Sequence, residues 1–391
     1  MSAAIGNDRL AWVVFCGLAL AGLALGGNKG RLPEREPSSI ADAASLERGA
    51  IHHKNQTSAD LSLYREMITA VRQGTNYYAA GREKIPSYGF QISSPLNWRL
   101  PTYAWLFSCV PSLIWVQAGL IGLSIAALAL AFTAQSRTSG FGYAAVTTFL
   151  LFGIVRWALD GDAYLAQEPW AATLILVSLA SSALARGESE VGGRGSAAGR
   201  WRCLAVVAGL AALFFRELAL PYCGIACLLS AWNRRWREAL VWAIGIALFF
   251  AFIAWHVGQV RAQLAGTDIA ASTGLSQWLR FGALDFVLLT TRMNSLLFAA
   301  PGWLLWLYLL SSLLGLSRRA DESSHLACLS ALAYLLAFAL LGRPENFYWG
   351  LLPAPLLAWG TAHGVQVIAE WYQATRTTGS PIGSPLTSCN V

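Results

Sequence analysis

Charge is the scarcest property of this sequence. Only 13% of its 391 residues are charged, where a soluble globular domain carries about a quarter. An ordinary water-soluble domain is thereby excluded. Acidic residues are the scarcer sign, 21 against 28 Lys and Arg. The formal charge of +7 lacks the clustered soluble basic face that a nucleic-acid reader needs. No phosphate-binding glycine loop and no dinucleotide fingerprint occur. No Cys/His grouping has zinc-site spacing, and His52-His53 is a pair without a partner pattern. Seven cysteines are present, but none falls between Gly27 and Arg99. That polar stretch therefore has no internal disulfide framework. Cys223 and Cys227 are spaced for one helix face and read as packing residues. The strict alternation of an outer-membrane barrel is also missing.

What is abundant is apolar: 55% of the residues are hydrophobic, gathered in long runs. Runs of about 18 residues or more match a bilayer core some 30 Å thick. Inside lipid the backbone must satisfy itself, which selects helices. The expected fold is all-α and polytopic, with about ten transmembrane helices. Spans are expected near Leu10–Gly26, Ser112–Phe132, Tyr143–Leu159, Trp170–Ala185, Cys203–Phe215, Leu218–Trp232, Ala239–Val257, Leu296–Leu316, His325–Leu341 and Gly350–Ala369. Cys203–Phe215 and Leu218–Trp232 form either a hairpin pinched at Arg216-Glu217 or one broken helix. Residues 1–26 are expected to form a first span, 27–111 an outward, periplasmic loop with interfacial helices, 112–370 a multi-span domain, and 371–391 a disordered cytoplasmic tail. Arg9, an apolar core and the small residues at Gly26-Gly27 also fit a signal peptide; the many later spans favour an uncleaved helix.

Arginines fall in alternate short connectors: Arg137; Arg186, Arg194, Arg200 and Arg202; Arg234, Arg235 and Arg237; Arg318 and Arg319. The positive-inside rule places these in the cytoplasm together with both termini. The opposite connectors then face outward, and the expected setting is a bacterial inner membrane with the site towards the periplasm. Most of the scarce acids lie on that outward side, among them Asp60, Glu66, Asp160, Asp162, Glu168, Glu217, Asp268, Asp285 and Glu345. Arg65, Arg99, Arg156, Arg216, Arg292 and Arg343 accompany them. Ionisable groups near lipid are costly, so they pair or line a cavity. Acids and arginines converging on one face suggest a site for an anionic, lipid-linked substrate. An arginine fork suits phosphate, and a nearby carboxylate can act as a general base. The plainer alternative is that connectors are polar anyway.

Within the outward loop, Leu61, Tyr64, Met67 or Ile68, and Val71 recur at helical spacing. Asp60 sits at the start of this amphipathic stretch and Gly74 stops it. Asn76-Tyr77-Tyr78 follows, then a Pro/Gly-containing stretch up to Asn97-Trp98-Arg99-Leu100-Pro101-Thr102. Pro101 suits the first turn of a short interfacial helix, which Pro111 breaks from the next span.

A first span, an outward loop bearing an Asp on interfacial helices, and then many spans resemble the GT-C superfamily of polyprenyl-phosphate-sugar-dependent glycosyltransferases. Asp60–Tyr78, with Tyr64, Gly74 and Tyr77-Tyr78, looks like the first-loop signature of its bacterial mannosyltransferase-like members. Asn97–Thr102, Phe215-Arg216-Glu217-Leu218-Ala219-Leu220-Pro221 and Gly342-Arg343-Pro344-Glu345-Asn346-Phe347-Tyr348-Trp349-Gly350 resemble blocks of an uncharacterised bacterial branch. The resemblance implies an inverting glycosyltransferase of the cell envelope. Its donor would be a polyprenyl-phosphate sugar, and its acceptor a lipid, glycan or protein. It further implies Asp60 as the candidate base, with an N-cap as the plainer role.

A second acidic residue in the next outward loop is also implied, and Asp160, Asp162 and Glu168 are the candidates. Asp160 and Asp162 flank Gly161 and could bind a divalent cation such as Mg²⁺ or Mn²⁺. Glu168, just before Pro169, equally suits a helix N-terminus. Tyr64, Arg99, Arg216, Glu217, His256, Arg343, Glu345 and Asn346 are the candidate substrate and phosphate contacts. Arg216-Glu217 could instead be a structural ion pair, and His256 simply packed. Gly258–Ser295 reads as partly amphipathic, an interfacial cover over the site. Two other classes stay open: a catalytically silent GT-C-like scaffold, and a lipid or polysaccharide transporter. Duplicated halves, which would favour a transporter, are not visible.

Overall fold

The computed structural model describes residues 59–90, 92, 97–190, 196–265, 284–342 and 344–378. The expected first span, the polar stretch before Asp60, residues 266–283 of the expected interfacial cover, Arg343, the Glu345 side chain and the tail beyond 378 lie outside them. Among the described residues the chain forms helices and turns and no β-strand.

Three short helices come first. Helix α1 covers residues 59–72. It buries Leu63, Tyr64, Met67, Ile68 and Ala70, the face that the spacing implied. Gly74 ends it at φ +90, a left-handed conformation that costs any residue with a Cβ. The Thr75 amide returns to Ala70 O at 3.0 Å, closing the helix end in a Schellman-type turn. Helix α2, Tyr77–Ser87, is capped by Asn76, whose side chain accepts from the Tyr78 and Ala79 amides. Helix α3, Thr102–Ser108, follows Pro101 as expected.

The remaining helices are α4 Leu113–Ser139, α5 Phe141–Val155, α6 Gln167–Glu190, α7 Ser196–Phe215, α8 Leu220–Trp232, α9 Trp236–Leu264, α10 Leu284–Thr291, α11 Gly302–Arg318, α12 Glu322–Leu340 and α13 Ala354–Thr378; α10, at 8 residues, is too short to span. Six helices among the described residues are long and apolar enough to cross a membrane: Leu113–Ser139, Phe141–Leu159, Gln167–Glu188, Ala197–Phe215, Trp236–Leu264 and Glu322–Leu340. Helices α8, α11 and α13 occupy the remaining expected spans after the first. The first two are shorter, and α13 carries a polar end. Outward-facing Ile114, Ile125, Phe149, Leu228, Leu248 and Leu336 are left exposed. So much apolar surface is tolerable only against lipid. The protein is an all-α polytopic membrane protein.

Helix α6 is the central element, with most of its apolar window buried. Ala171, Ala172, Ala180 and Ala183 keep it slender, and α7 packs along its length. Small residues permit such close approach where no hydrophobic effect drives helices together. At the α11–α13 contact, a Cβ on Gly315 or Gly364 would collide with the backbone of the facing helix.

The ambiguity at Arg216-Glu217 resolves as a hairpin. Arg216 is extended at φ −144, ψ 116, and a one-turn 3₁₀ segment, Glu217–Ala219, leads into α8. The two helices then run back along each other, with Cys223 Sγ donating to Gly209 O at 3.2 Å. Cys227 faces α9 instead, donating to Ala239 O. Each cysteine packs, as its spacing suggested.

Alternation of helix direction sorts the connectors into two ends. At one end Arg137 pairs with Glu188, Arg235 with Glu238 and Glu322, and Arg319 with Asp321, Ser139 and His363. At the other end α1–α3 form a second apolar cluster over the tips of α4, α6 and α9. Among the described residues, Asp60, Glu66, Asp160, Asp162, Glu168 and Glu217 belong to this second end.

Candidate active site beneath the first helices

A cavity of about 90 Å³ lies where α1 meets the tips of the spans. Asp60, Leu61 and Tyr64 line it from α1, and Glu168 and Pro169 from the first turn of α6. Trp157, Ala163 and Ala166 come from the α5–α6 connector, Met293 from the segment after α10, and Phe347, Tyr348 and Leu351 from the last connector. The wall is mostly apolar, with two carboxylates and two phenols converging on it. This is the usual composition of a small-molecule site.

The charges are layered behind one another. Arg99 is the hub, donating from Nε to Tyr64 Oη at 2.9 Å and from Nη2 to Tyr348 Oη at 2.8 Å. Burial works against its charge, but the Tyr348 and Tyr64 oxygens and the Glu168 and Asp60 carboxylates outweigh it and hold the guanidinium above its ordinary value. The Arg99 backbone is held as firmly: its carbonyl accepts from Tyr77 Oη at 2.6 Å. One residue earlier, His256 Nε2 approaches Trp98 O at 3.2 Å while its Nδ1 meets Tyr78 Oη at 2.9 Å. Gly81 gives Trp98 its place, because a Cβ there would lie 2.6 Å from the indole.

Arg216, with 1% of its side chain exposed, sits behind Glu168. Its Nε is 2.8 Å from Glu168 Oε1 and its Nη1 is 2.9 Å from Glu217 Oε1. These contacts are close in distance but misaligned for hydrogen bonding, so the same atoms count as buried without a hydrogen-bond partner. We take them as ion pairs, because charge attraction needs no alignment. The neighbouring Gln167 is 1% exposed, and neither amide atom has a hydrogen-bond partner. Such a group costs roughly 1–3 kcal/mol while unmet.

Burial pushes the Asp60 carboxyl up from its ordinary value; Arg99 and Arg216 pull it down and Glu168 pushes it further up. Burial likewise raises the phenols of Tyr64 and Tyr348. Both remain neutral hydroxyls, able to donate or accept. A carboxylate with a raised value in a cleft is suited to proton transfer.

The structure thus joins Asp60, Tyr64, Arg99, Glu168, Arg216 and Glu217 from the residues singled out in the sequence. Asn346 joins at the edge, accepting from Tyr348 Oη at 3.3 Å. His256 is brought near as a brace for the Trp98–Arg99 backbone. It stands outside the cavity lining. Asp162 points elsewhere and pairs with the exposed Arg65 at 2.5 Å, and Asp160 is exposed. Among the described residues, no three His, Cys, Asp or Glu side chains stand close enough to hold a metal ion. Tyr348, Trp157 and Met293 line the cavity without having been singled out as site residues. Tyr348 stood only as a member of the Gly342–Gly350 block, and the other two carry no chemical signature in one dimension.

No family model and no curated protein matches the chain. Among solved structures, it is similar to ArnT from Cupriavidus metallidurans bound to undecaprenyl phosphate, at 16% identity and a TM-score of 0.44, over 71% of this chain and 53% of that one. It is similar to the apo state of the same protein at 15% identity and a TM-score of 0.44, over 87% of this chain and 63% of that one. The chain therefore spans less than two thirds of the length of either.

Proposed function

We propose that the protein is a GT-C-type membrane glycosyltransferase that moves a sugar from a polyprenyl-phosphate carrier to a lipid, glycan or protein acceptor. The observation that carries the reading is the convergence of Asp60 and Glu168 on one apolar-walled cavity, with Arg99 and Arg216 immediately behind. In this reading Asp60 takes the proton from the acceptor hydroxyl as that oxygen attacks the anomeric carbon. The bond from that carbon to the carrier phosphate breaks, and the configuration inverts. Arg99, held in place by its two tyrosines, faces the growing negative charge on the phosphate. Glu168 and Glu217 keep Arg216 extended toward the same region. The site would face the periplasm of a bacterial inner membrane, with both termini in the cytoplasm. A divalent cation at Asp160 and Asp162 is no part of the proposal, because Asp162 is engaged by Arg65.

The test is transfer by the purified, reconstituted chain from a panel of polyprenyl-phosphate sugars, wild type against Asp60→Asn. Transfer by the wild type and its loss in the variant is the expected result; equal turnover would remove Asp60 as the base. A second reading, a catalytically silent scaffold, draws on Arg216, whose charge is already met by two carboxylates. It predicts no transfer from any donor, with the wild type fully folded.

A further inference from the structure

We propose that a groove at the end of the molecule opposite Asp60 binds one anionic glycerophospholipid. The groove, of about 680 Å³, lies between the start of α7 and the α8–α9 turn. Arg202, Arg234, Arg235 and Arg237 line it against a single acid, Glu238. Arg235 is spoken for by Glu238 and Glu322. Arg234 and Arg237 are exposed, and among the described residues neither makes an ion pair or a side-chain hydrogen bond. The groove therefore carries uncompensated positive charge. Arg234 also holds a left-handed backbone at φ +58, the one non-glycine with positive φ among the described residues. Glycine would take that conformation without strain, so the arginine side chain is kept at a conformational cost.

The rest of the groove is apolar. Val206, Val207 and Val241 form its wall. Exposed Leu240, Ile244 and Leu248 continue the surface along α9 toward the middle of the spans. Trp232 and Trp236, 84% and 67% exposed, flank the arginines, where indoles settle at headgroup depth. A phosphodiester against Arg234 and Arg237 with an acyl chain along Val207, Val241 and Ile244 uses both halves; a free phosphate uses only one. This ligand is separate from any substrate of the Asp60 cavity, because Arg202 and Arg216 are 14 residues and about 21 Å apart along one helix axis.

The test uses the full chain reconstituted in phosphatidylcholine vesicles that contain a minority of spin-labelled phosphatidylglycerol. The wild type is expected to enrich the labelled lipid roughly tenfold over labelled phosphatidylcholine, following the attraction of anionic lipid to paired basic residues. Arg237→Gln and Arg234→Gly should each cut that preference several-fold, and the second cannot strain the backbone. Arg200→Gln removes the same charge from the same end, outside the groove, and should leave the preference intact. Equal loss in Arg200→Gln would reduce the effect to bulk electrostatics and overturn the site. Displacement of the lipid by soluble glycerol phosphate would overturn the lipid assignment, because the apolar wall would then contribute nothing.

Discussion

In the proposed function, Asp60 sets chemistry against stability at a single residue. Its folded value is raised, so folding penalises the ionised form. That penalty is absent below the ordinary carboxyl value near ~4 and complete once pH has risen past the folded value. Asp60→Asn is therefore expected to raise the thermal midpoint at neutral pH while abolishing transfer; a lowered midpoint would mean that Arg99 and Arg216 depend on its charge. Glu168 is the opposite case. It partners Arg216 in the interior, and Glu168→Ala should cost about 3 kcal/mol in a denaturation experiment. Asp162→Ala breaks only the exposed pair with Arg65 and should cost at most about 1 kcal/mol. A larger loss there would show that the α1 contact is built on that pair. The sequence made Asp60, Arg99, Glu168 and Arg216 visible because charge is rare in it. It could not separate Glu168 from Asp160, because the two stand eight positions apart around one expected turn; in the structure Glu168 opens α6 and points inward while Asp160 stays in the connector, exposed.

The elements that present these residues are held by small details. Arg99 stands correctly only because Trp98 packs on Gly81 and the backbone on either side is tied to His256 and Tyr77. Gly81→Ala drives a methyl into a rigid indole. A destabilisation of roughly 1–3 kcal/mol is expected, together with a loss of transfer larger than the stability loss explains. Unchanged transfer in a stable variant would detach the Trp98 platform from the site. The α1 face and its stop at Gly74 were legible because helical spacing and a left-handed turn leave local marks. The hairpin at Arg216 was not, because a break and a reversal look alike in one dimension; the Cys223–Gly209 contact distinguishes them.

Over the whole molecule, the two ends differ in how they meet acid. At the basic end burial raises the Asp321 carboxyl, but the Arg319 charge and hydrogen bonds from Ser323, Arg319 and Ser324 outweigh it and bring it to about 2. A depressed value stabilises above the ordinary ~3.9, and the gain fades as pH falls toward the folded value; the shift is worth about 2–3 kcal/mol. Thermal midpoints of the wild type should fall between pH 5 and 2 more steeply than those of Asp321→Asn; parallel curves would discount this carboxylate. The polytopic plan and the gathering of Arg137, Arg235 and Arg319 at one end were legible from composition and connector charge alone. The cavity was not, because its wall is drawn from five separate connectors and helices.

The Arg99–Tyr348 bond joins positions 249 residues apart, and this bears on how the protein is made. During synthesis and membrane insertion, Asp60, Arg99 and Glu168 all leave the ribosome long before Phe347, Tyr348 and Leu351. A nascent chain thus carries its acids and its buried arginine with one wall of the pocket still missing. The last connector completes the pocket, so the cavity forms only after that connector has been made.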